Sequence, residues 1–324
     1  MKFLAAAAAF AVSLVPALAG AQEFPTRPVK LVLPFAAGGI SDVMGRLVAQ
    51  EMQKTLGQPI VPENRVGAGS ALGTDAVAKA DPDGYTMCFC GNAAITLLPH
   101  MNQTVPYDPL KDLKPIGSTY TVDLFLVVRA EEPYKNLQDF IAAAKKAPGK
   151  LSYGSNGPGS SAHLTGAMLT SMAGIELIHV PYKGEQPATT DLLSGQLTLG
   201  IISTAGTQTQ RAAGKVKVLA NASRQRSSII PDVPTVAEQG YPEYDSPLWN
   251  IIMVPGATPA GPTEKLRAAL IAAMKNPDIQ QKMLAAGVNP VADQPSIQAM
   301  QEQIRSEYVR WQKLIKDLNL GGQG

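Results

Sequence analysis

The sequence predicts an α/β protein built as two lobes joined by a hinge. Short apolar runs alternate with amphipathic helical patterns over most of the chain. A strand, glycine turn and helix start occur in the same order twice, about 120 residues apart. The final part of the chain carries helical patterns without intervening strands. Alternating strands and helices are typical of a mainly parallel sheet covered on both faces.

The first residues match a secretory signal peptide. Met1-Lys2 precede a short apolar run, and small residues follow at alternating positions up to Ala21. Cleavage after Ala19 or after Ala21 fits this order, and we favour Ala21; no Cys lies near the cut to carry a lipid anchor. The apolar run is shorter than the roughly 20 residues that a membrane span needs. We therefore expect residues 1–21 to be removed and the remainder to be exported and soluble.

The composition excludes some partners. The formal net charge is +2, which gives no electrostatic reason to expect nucleic acid or an anionic membrane. The two cysteines, Cys88 and Cys90, lie at i and i+2 of a predicted strand, so their side chains point to one face. A metal site usually has different spacing and further ligands. We expect the pair to fill a core, with no metal bound.

Eight strands are predicted before the C-terminal part. They are Leu31–Pro34, Ile60–Pro62, Thr86–Cys90, Leu124–Val128, Leu151–Tyr153, Leu177–Val180, Leu197–Ile202 and Val216–Ala220. In the helix predicted over Ser41–Leu56, the spacing of Val43, Leu47, Val48 and Met52 predicts one buried stripe.

The C-terminal helices must pack on a sheet formed earlier in the chain. They follow Trp249–Val254 and are predicted at Pro262–Lys275, at Pro277–Ala286, and from Pro295 to about Leu318. This arrangement predicts two crossings between lobes, near Tyr120–Leu124 and Tyr244–Trp249. The first lobe would hold residues 22–123 and 249–324, and the second 124–248. Lobes joined by such a hinge can close around a ligand.

The two glycine turns predict an anion site between the lobes. They are Phe35-Ala36-Ala37-Gly38-Gly39-Ile40-Ser41-Asp42 and Ser155-Asn156-Gly157-Pro158-Gly159-Ser160-Ser161. A strand that enters a helix through glycines directs free N–H groups at one point, where the helix dipole favours negative charge. The alternative is two ordinary glycine-rich connections.

A carboxylate suits these turns better than a phosphate. Neither turn contains Arg or Lys, and a phosphate usually recruits such a cation. Neither the dinucleotide pattern nor the Gly-Lys-[Ser/Thr] ending of a phosphate loop occurs. We therefore expect no cofactor.

The candidates for catalysis are few. His179 lies within an apolar strand and is expected to be a core residue. His163 follows the second turn, where it either approaches the site or packs in the helix. No nucleophile elbow and no H-E-x-x-H motif occurs, so we expect a protein that is not an enzyme.

The sequence also resembles a known family, the periplasmic solute-binding proteins of the tripartite tricarboxylate transporters (the Bordetella uptake gene family). The matching segments run almost end to end. They are Pro34-Phe35-Ala36-Ala37-Gly38-Gly39 with Asp42, Glu63-Asn64-Arg65-Val66-Gly67-Ala68-Gly69, Asp81-Pro82-Asp83-Gly84-Tyr85-Thr86, Val105-Pro106-Tyr107-Asp108-Pro109, Tyr153-Gly154-Ser155-Asn156-Gly157-Pro158-Gly159-Ser160, Val180-Pro181-Tyr182-Lys183-Gly184, Asp191-Leu192-Leu193-Ser194-Gly195-Gln196 and Asp232-Val233-Pro234-Thr235-Val236-Ala237-Glu238-Gln239-Gly240.

The resemblance implies a two-lobed periplasmic binding-protein fold with the ligand in the cleft. It implies a small di-, tri- or aromatic carboxylate as ligand, a two-component membrane permease as partner, and a periplasmic location. We expect a monomer. Combined with the turns, it gives the candidate ligand-binding residues Phe35, Ala36, Gly38, Gly39, Ser41, Asp42, Asn92, Ala93, Ser155, Asn156, Gly157, Gly159, Ser160, Ser161, His163, Ser203, Thr204 and Trp249.

One departure from the family bears on the ligand. Many members end a second-lobe strand with Asp, where this chain has Ser203 and Thr204. An acid there would suit an amino group, so its absence favours a ligand without a cationic group. Phe35 and Trp249 could supply apolar faces to an aromatic ligand. Two alternatives to transport remain: an exported sensor subunit that binds a carboxylate, and a hydrolase or lyase on the same scaffold.

Overall fold

The computed structural model describes residues 24–101, 105–246 and 248–318, so the predicted signal peptide lies outside the described residues. The strands of the described part are β1 (Val29–Leu33), β2 (Ile60–Asn64), β3 (Thr86–Gly91), β4 (Leu113–Val122), β5 (Leu124–Arg129), β6 (Leu151–Ser155), β7 (Leu177–Pro181), β8 (Gly200–Ser203), β9 (Val216–Asn221), β10 (Leu248–Pro255) and β11 (Asn289–Pro290).

The helices alternate with these strands up to β10 and dominate the chain after it. They are α1 (Ile40–Leu56), α2 (Ala71–Ala78), α3 (Leu137–Lys146), α4 (Ser161–Ala173), α5 (Glu185–Ser194), α6 (Thr204–Ala212), α7 (Ala260–Lys275), α8 (Pro277–Ala285) and α9 (Ile297–Asp317). A short π-helix, Ala93–Leu97, follows β3. Among the described helices, none combines the length and the apolar character that a membrane crossing requires.

The first lobe is built on a six-stranded sheet with the order β11-β4-β10-β3-β1-β2. Strand β1 pairs in parallel with β2 and β3, whereas β10 is antiparallel to both β3 and β4. The α/β class is confirmed. The sheet is mixed where the sequence predicts a mainly parallel one, because β4 leads out of this lobe, β10 returns to it, and both run against their neighbours.

The second lobe contains two smaller sheets. Strand β5 lies between β8 and β9 and is antiparallel to both. Strands β6 and β7 are parallel, and a parallel bridge between Tyr153 and Leu199 joins β6 to the segment that enters β8. The carboxyl ends of β6, β7 and β8 therefore lie at one edge, where ligands of open α/β sheets bind.

Helix α1 buries most of the predicted stripe, with Leu47, Val48 and Met52 in or against the core and Met44 in the place predicted for Val43. Met44, Val48 and Met52 are buried, whereas Val43 is 47% exposed. Residues four apart lie on the same helix face, and these three pack with Leu31 and Phe89 in the core of the first lobe. The prediction that Val43 belongs to the buried stripe is wrong, because the stripe follows the four-residue row that starts at Met44.

The chain crosses between lobes at Asp123, which joins β4 to β5, and again before β10. Residue 247 of the second crossing lies outside the described residues. The Asp123 carboxylate accepts hydrogen bonds from Ser223 Oγ at 2.7 Å and Asn289 Nδ2 at 2.8 Å. The strands from β5 to β9 lie in the smaller sheets and all others in the six-stranded sheet. The residue boundaries of the lobes stay a prediction.

Helix α9 contacts both lobes, although the sequence analysis assigns all of residues 249–324 to the first. Met300 and Ile304 pack in the core cluster of Val32 and Trp249. Trp311 and Ile315 pack in a different cluster, with the second-lobe strand β5 and helices α3 and α4. The helix is 21 residues long, so at 1.5 Å per residue its two halves reach different cores.

The cysteines occupy the core of the first lobe, and their side chains share one face as predicted. Both are fully buried, and their Sγ atoms form a disulfide with an S–S distance of 2.09 Å. The expectation of two separate small apolar side chains is therefore wrong in this respect. Side chains at i and i+2 of a strand lie side by side, which allows the bond.

Candidate functional site

The first glycine turn connects β1 to α1 and is locked by Asp42. Gly38 has a φ of +80°, a left-handed conformation that favours glycine. Its N–H donates to Asp42 Oδ2 at 2.9 Å. Asn64 Nδ2 and Arg46 Nε donate to Asp42 Oδ1 at 2.7 and 2.9 Å. Asp42 is thus an anchor of the turn, and the Gly38 N–H is already satisfied.

The charge of Asp42 follows from these bonds. Burial alone would raise the pKa of this carboxyl, but the hydrogen bonds from Gly38, Asn64 and Arg46 outweigh it and lower the pKa below its ordinary value. The carboxylate is therefore ionised at neutral pH, and it lies in the first turn of α1, where the helix dipole favours negative charge.

The donors that remain in this turn come from the start of α1. The Gly39 N–H donates to the Ala36 carbonyl at 3.3 Å. The N–H groups of Ile40 and Ser41 belong to the first helical turn and have no acceptor within the helix. Ser41 also contributes its hydroxyl. Of the groups predicted to contact an anion in this lobe, the N–H groups of Ile40 and Ser41 and the Ser41 hydroxyl therefore remain candidates.

Ser41 belongs to a polar cluster that sequence reasoning missed. Its Oγ lies 2.9 Å from Tyr120 Oη, and Asn250 Nδ2 donates to it at 3.4 Å. Asn250 Nδ2 also donates to Tyr120 Oη. Burial raises the pKa of Tyr120, although these hydrogen bonds oppose the shift. Tyr120 and Asn250 are 79 and 209 residues from Ser41 in the chain, so no local sequence pattern indicates the contact.

Gly91 opens a gap beside this cluster, since a Cβ at this position would lie 3.2 Å from Asn250 Oδ1 and 3.4 Å from the Phe35 ring. Phe35 is half-buried at the first turn. The structure therefore brings Phe35 and Ser41 to the same end of the sheet. The adjoining loop holds buried Asn92 and half-buried Ala93 at the start of the π-helix.

The second glycine turn, residues 156–160, is held by its own hydrogen bonds. The Gly157 N–H donates to Ser155 Oγ at 3.1 Å, and the Gly159 N–H donates to His163 Nδ1 at 3.0 Å. The Ser160 N–H donates to the Gly157 carbonyl, and Ser160 Oγ caps α4 by accepting the His163 N–H at 3.2 Å. The first-turn N–H groups that lack a helical acceptor belong to Ser161 and Ala162.

Two histidines, His163 and His179, hold this turn through hydrogen bonds to Gly159 and Ser155. The rings of His163 and His179 stack with their centroids 4.0 Å apart. His179 Nε2 lies 2.7 Å from Ser155 Oγ. Burial, and then the neighbouring His179, lower the pKa of His163 to about 4. Burial also lowers the pKa of His179. Both rings are therefore neutral at pH 7, and they position the turn through Gly159 and Ser155.

The side chains of Trp249 and Thr204 are buried and engaged with residues outside the turns. Trp249 is buried, and its indole Nε1 donates to Glu307 Oε2 at 2.8 Å. Its neighbour Asn250 faces the opposite side of the sheet, because strand side chains alternate. Thr204 is fully buried and donates to the Asp123 carbonyl at 3.3 Å. Trp249 therefore presents no open aromatic face to a ligand.

Ser203 has an acidic neighbour, Glu185, that no sequence pattern near Ser203 indicates. The Ser203 N–H donates to Glu185 Oε2 and the Ser203 hydroxyl donates to Glu185 Oε1, each at 2.9 Å. The strand end has no Asp of its own, as the sequence shows, but Glu185 places a carboxylate beside it. Glu185 is 18 residues away in the chain, but it begins α5 beside the end of β8. A helix start just after Tyr182-Lys183-Gly184 is the sequence signal that could have identified it.

Comparison with known proteins identifies the family. A family model described as the tripartite tricarboxylate transporter family receptor matches residues 44–320. The chain belongs to this receptor family. It is 33% identical to the protein BugT of Bordetella pertussis over 308 residues, which cover 94% of this chain and 93% of BugT.

Solved structures of related proteins agree with the assignment of this chain to the receptor family. An R. palustris protein solved with adipate is 31% identical, with a TM-score of 0.74, and the match covers 91% of this chain and 98% of that one. MatC from Rhodopseudomonas palustris, solved with bound malate, is 30% identical with a TM-score of 0.72, and the match covers 90% and 100%. The two-lobed periplasmic binding-protein fold is thereby confirmed.

The receptor groups most of the predicted residues at the carboxyl ends of its strands. The first group is Phe35, Ala36, Gly38, Gly39, Ser41 and Asp42, with Asn92 and Ala93 on the next loop. The second is Ser155, Asn156, Gly157, Gly159, Ser160, Ser161 and His163, with Ser203 at the end of β8, whose entry segment pairs with β6. In both groups several predicted donors hold the turn itself, so only a part of each group is free to bind a ligand.

The second glycine turn contacts the first lobe at Met101. A Cβ at Gly159 would lie 3.0 Å from Met101 Cε, which belongs to the loop that follows β3. Gly159 has a φ of +72°. This turn of the second lobe therefore touches the first lobe.

Proposed function

We propose that this receptor binds a small organic carboxylate between its lobes and delivers it to a two-component membrane permease. The observation that carries the proposal is the pair of strand–glycine–helix turns. Each ends in a helix whose first N–H groups have no helical acceptor, at Ile40 and Ser41 in one lobe and at Ser161 and Ala162 in the other. Neither turn contains a cation of its own.

The related structures support a carboxylate. Adipate and malate, which occupy two of the relatives, are both dicarboxylates. The candidate ligands for this chain are di-, tri- and aromatic carboxylates. The buried position of Trp249 removes one of the two aromatic faces on which an aromatic ligand would depend.

Binding without chemical conversion is the function that the histidines support. His163 Nδ1 accepts the Gly159 N–H, and His179 Nε2 lies against Ser155. Both rings are thus engaged with their own lobe. A hydrolase or lyase on this scaffold is the less supported alternative, and a sensor subunit for a membrane receptor is another.

A ligand screen tests the proposal. The mature protein is heated with mono-, di-, tri- and aromatic carboxylates, and each ligand that raises the melting temperature is titrated by calorimetry. A binder raises the melting temperature once its concentration exceeds its Kd. NMR of the supernatant after prolonged incubation should show the carboxylate unchanged. Failure of every carboxylate to bind would overturn the proposal, and conversion of a bound carboxylate would favour the enzyme.

The proposed oligomeric state, location and permease partner can be tested separately from ligand binding. We propose an exported, periplasmic monomer that meets its permease at the membrane. Light scattering after gel filtration should give the mass of one chain with and without ligand. Uptake of the bound carboxylate by cells that carry a neighbouring permease pair, lost on deletion of this gene, would distinguish transport from sensing.

A further inference from the structure

Glu185 lies at the edge of the second lobe that carries the second glycine turn. Strands β6, β7 and β8 end at this edge, and Glu185 is the first residue of α5, which follows β7. The Tyr182 N–H donates to the Ser155 carbonyl at 2.9 Å. A Cβ at Gly157 would lie 3.5 Å from the Tyr182 carbonyl oxygen. The start of α5 is therefore adjacent to the turn that is proposed to hold the ligand.

The Glu185 carboxylate occupies the start of α6. It accepts hydrogen bonds from both the N–H and the hydroxyl of Ser203, the N-cap residue of that helix. Gly206 makes room for it, because a side chain at this position would overlap Glu185 Oε1. The chain thus supplies its own anion to a third helix start, a place where an anionic ligand group would otherwise be stabilised.

This helix start faces the other lobe. Ala205, in the first turn of α6, lies against Gly287, which follows α8 of the first lobe: a Cβ at Gly287 would be 3.0 Å from the Ala205 Cβ. The Glu185 carboxylate is half-buried at this boundary. A half-buried charge is screened less than a fully exposed one, so it acts more strongly on neighbouring groups.

We infer that Glu185 determines specificity by selecting a ligand with one carboxylate and an uncharged or cationic hydrogen-bond donor at its other end. Ser203 uses two of the roughly four acceptor positions of the carboxylate. A ligand hydroxyl or ammonium can use the others, whereas a second ligand carboxylate beside Glu185 is repelled. This inference rests on the proposed carboxylate-binding function, narrows its candidate ligands away from di- and tricarboxylates, and reverses the expectation drawn from Ser203 and Thr204 alone.

Pairs of acids with equal carbon number test the inference. Succinate, glutarate and adipate are each compared with the hydroxy acid in which a terminal hydroxymethyl group replaces one carboxylate, by titration calorimetry. For the pair that binds best, the wild-type protein should bind the hydroxy acid roughly tenfold more tightly than the dicarboxylate. In Glu185→Gln, which keeps one acceptor for the Ser203 N–H, this ratio should fall roughly fivefold or more.

Two further variants separate charge from packing. Glu176→Gln removes an exposed carboxylate just before β7, at the opposite edge of the lobe, and should leave the ratio unchanged. The double variant Glu185→Ser with Ser203→Asp moves the acid from the first residue of α5 to the last residue of β8. Asp is a favourable N-cap residue, so this protein should fold and keep the wild-type preference.

The binding measurements distinguish failure of the Glu185 role from failure of the proposed function. A wild-type protein that binds the dicarboxylate more tightly, or a ratio that is the same in Glu185→Gln as in wild type, would overturn the role of Glu185 while the carboxylate receptor stands. If no acid of either type binds to the wild-type protein, the proposed function fails and this inference fails with it.

Discussion

The imidazole rings of His163 and His179 stack almost parallel, with 12° between their planes and 4.0 Å between their centroids. Two cationic rings at this distance would repel each other strongly in a buried site. The stack is therefore stable only while at least one ring is neutral. The stack contacts the second glycine turn, because His163 hydrogen-bonds to Gly159 and His179 to Ser155.

The stack predicts a loss of stability in mild acid. Burial, together with the neighbouring His179, lowers the pKa of His163 from 6.5 to about 4. Between these values the unfolded chain binds a proton that the native protein does not, so the free energy of unfolding falls as pH falls. The decrease should be at most roughly 3 kcal/mol. Urea unfolding at several pH values between 7.5 and 4.5 measures it.

The matched variant for this effect is His163→Asn, which keeps an acceptor for the Gly159 N–H and cannot titrate. Its stability should depend on pH less steeply than that of the wild type, by about one proton over this window. Parallel pH profiles for the two proteins would show that His163 is not the group responsible.

Glu307 predicts a second stability effect, at the contact between α9 and the first lobe. Its carboxylate accepts hydrogen bonds from Trp249 Nε1, Thr96 Oγ1 and Trp311 Nε1. Burial raises its pKa even though these donors oppose the shift. Glu307→Ala leaves two buried indole donors unpaired and should cost about 3 kcal/mol. Glu307→Gln keeps an acceptor and removes the buried charge, so it should cost about 1 kcal/mol or less.

Denaturant unfolding of both Glu307 variants at pH 7 provides the measurement. An alanine variant as stable as the wild type, or a glutamine variant less stable than the alanine variant, would contradict this account of the network.

Asp42 predicts an effect on affinity. Asp42→Ala removes the acceptor for the Gly38 N–H, and the first turn should lose its fixed shape. Ligand binding should weaken roughly fivefold or more, or about 1 kcal/mol. Asp139 offers a matched control, because its carboxylate accepts the Lys135 N–H with the same spacing at the start of α3. Asp139→Ala should lose comparable stability, about 1 kcal/mol, with unchanged affinity. Equal affinities in calorimetry for both variants would exclude the anchoring role of Asp42.

Asn289 predicts how readily the lobes separate. It donates to Asp123 at 2.8 Å, and its Oδ1 accepts from Ser228 Oγ at 2.6 Å. Asn289→Ala removes both contacts across the crossing, so the unliganded protein should open and show a larger radius of gyration in small-angle scattering. Saturating ligand should reduce the radius for both proteins, since each lobe supplies only part of the donors. Identical radii in all four samples would refute hinge closure.

The sequence predicts those parts of the fold and site that depend on neighbouring residues. The glycine turns are recognisable because strand end, glycines and helix start follow one another directly. Strand β4 was not predicted, since Pro115, Gly117 and Ser118 interrupt its apolar pattern. It pairs with β10 and β11, which lie far along the chain.

The missed parts of the site are those in which distant residues meet. Glu185 reaches Ser203 because parallel strands end at a common edge, and Asn250 reaches Ser41 because β10 returns into the first sheet. The sequence predicts Trp249 as an aromatic ligand contact because it lies near a crossing. Its orientation is set instead by Glu307 of α9, 58 residues later.

The central claim, that first-turn N–H groups of α1 and α4 hold the ligand carboxylate, is open to a direct test. Proline at the first position of a helix removes the N–H without disturbing the helix. The preceding residues Gly39 and Ser160 have ψ values of 163° and 158°, which a following proline tolerates. Ile40→Pro and Ser161→Pro therefore delete one donor each, with Ile40→Ala and Ser161→Ala as side-chain controls.

Ala260→Pro makes the same change at the start of α7, where Pro259 has a ψ of 160°, and serves as the control helix. Titration calorimetry with the tightest carboxylate from the screen should show affinity weakened roughly tenfold in Ile40→Pro and in Ser161→Pro, because a hydrogen bond to a charged group contributes about 1.5–3 kcal/mol. Ala260→Pro and the alanine controls should bind as the wild type does. Wild-type affinity in both site variants would contradict the claim that these turns hold the carboxylate.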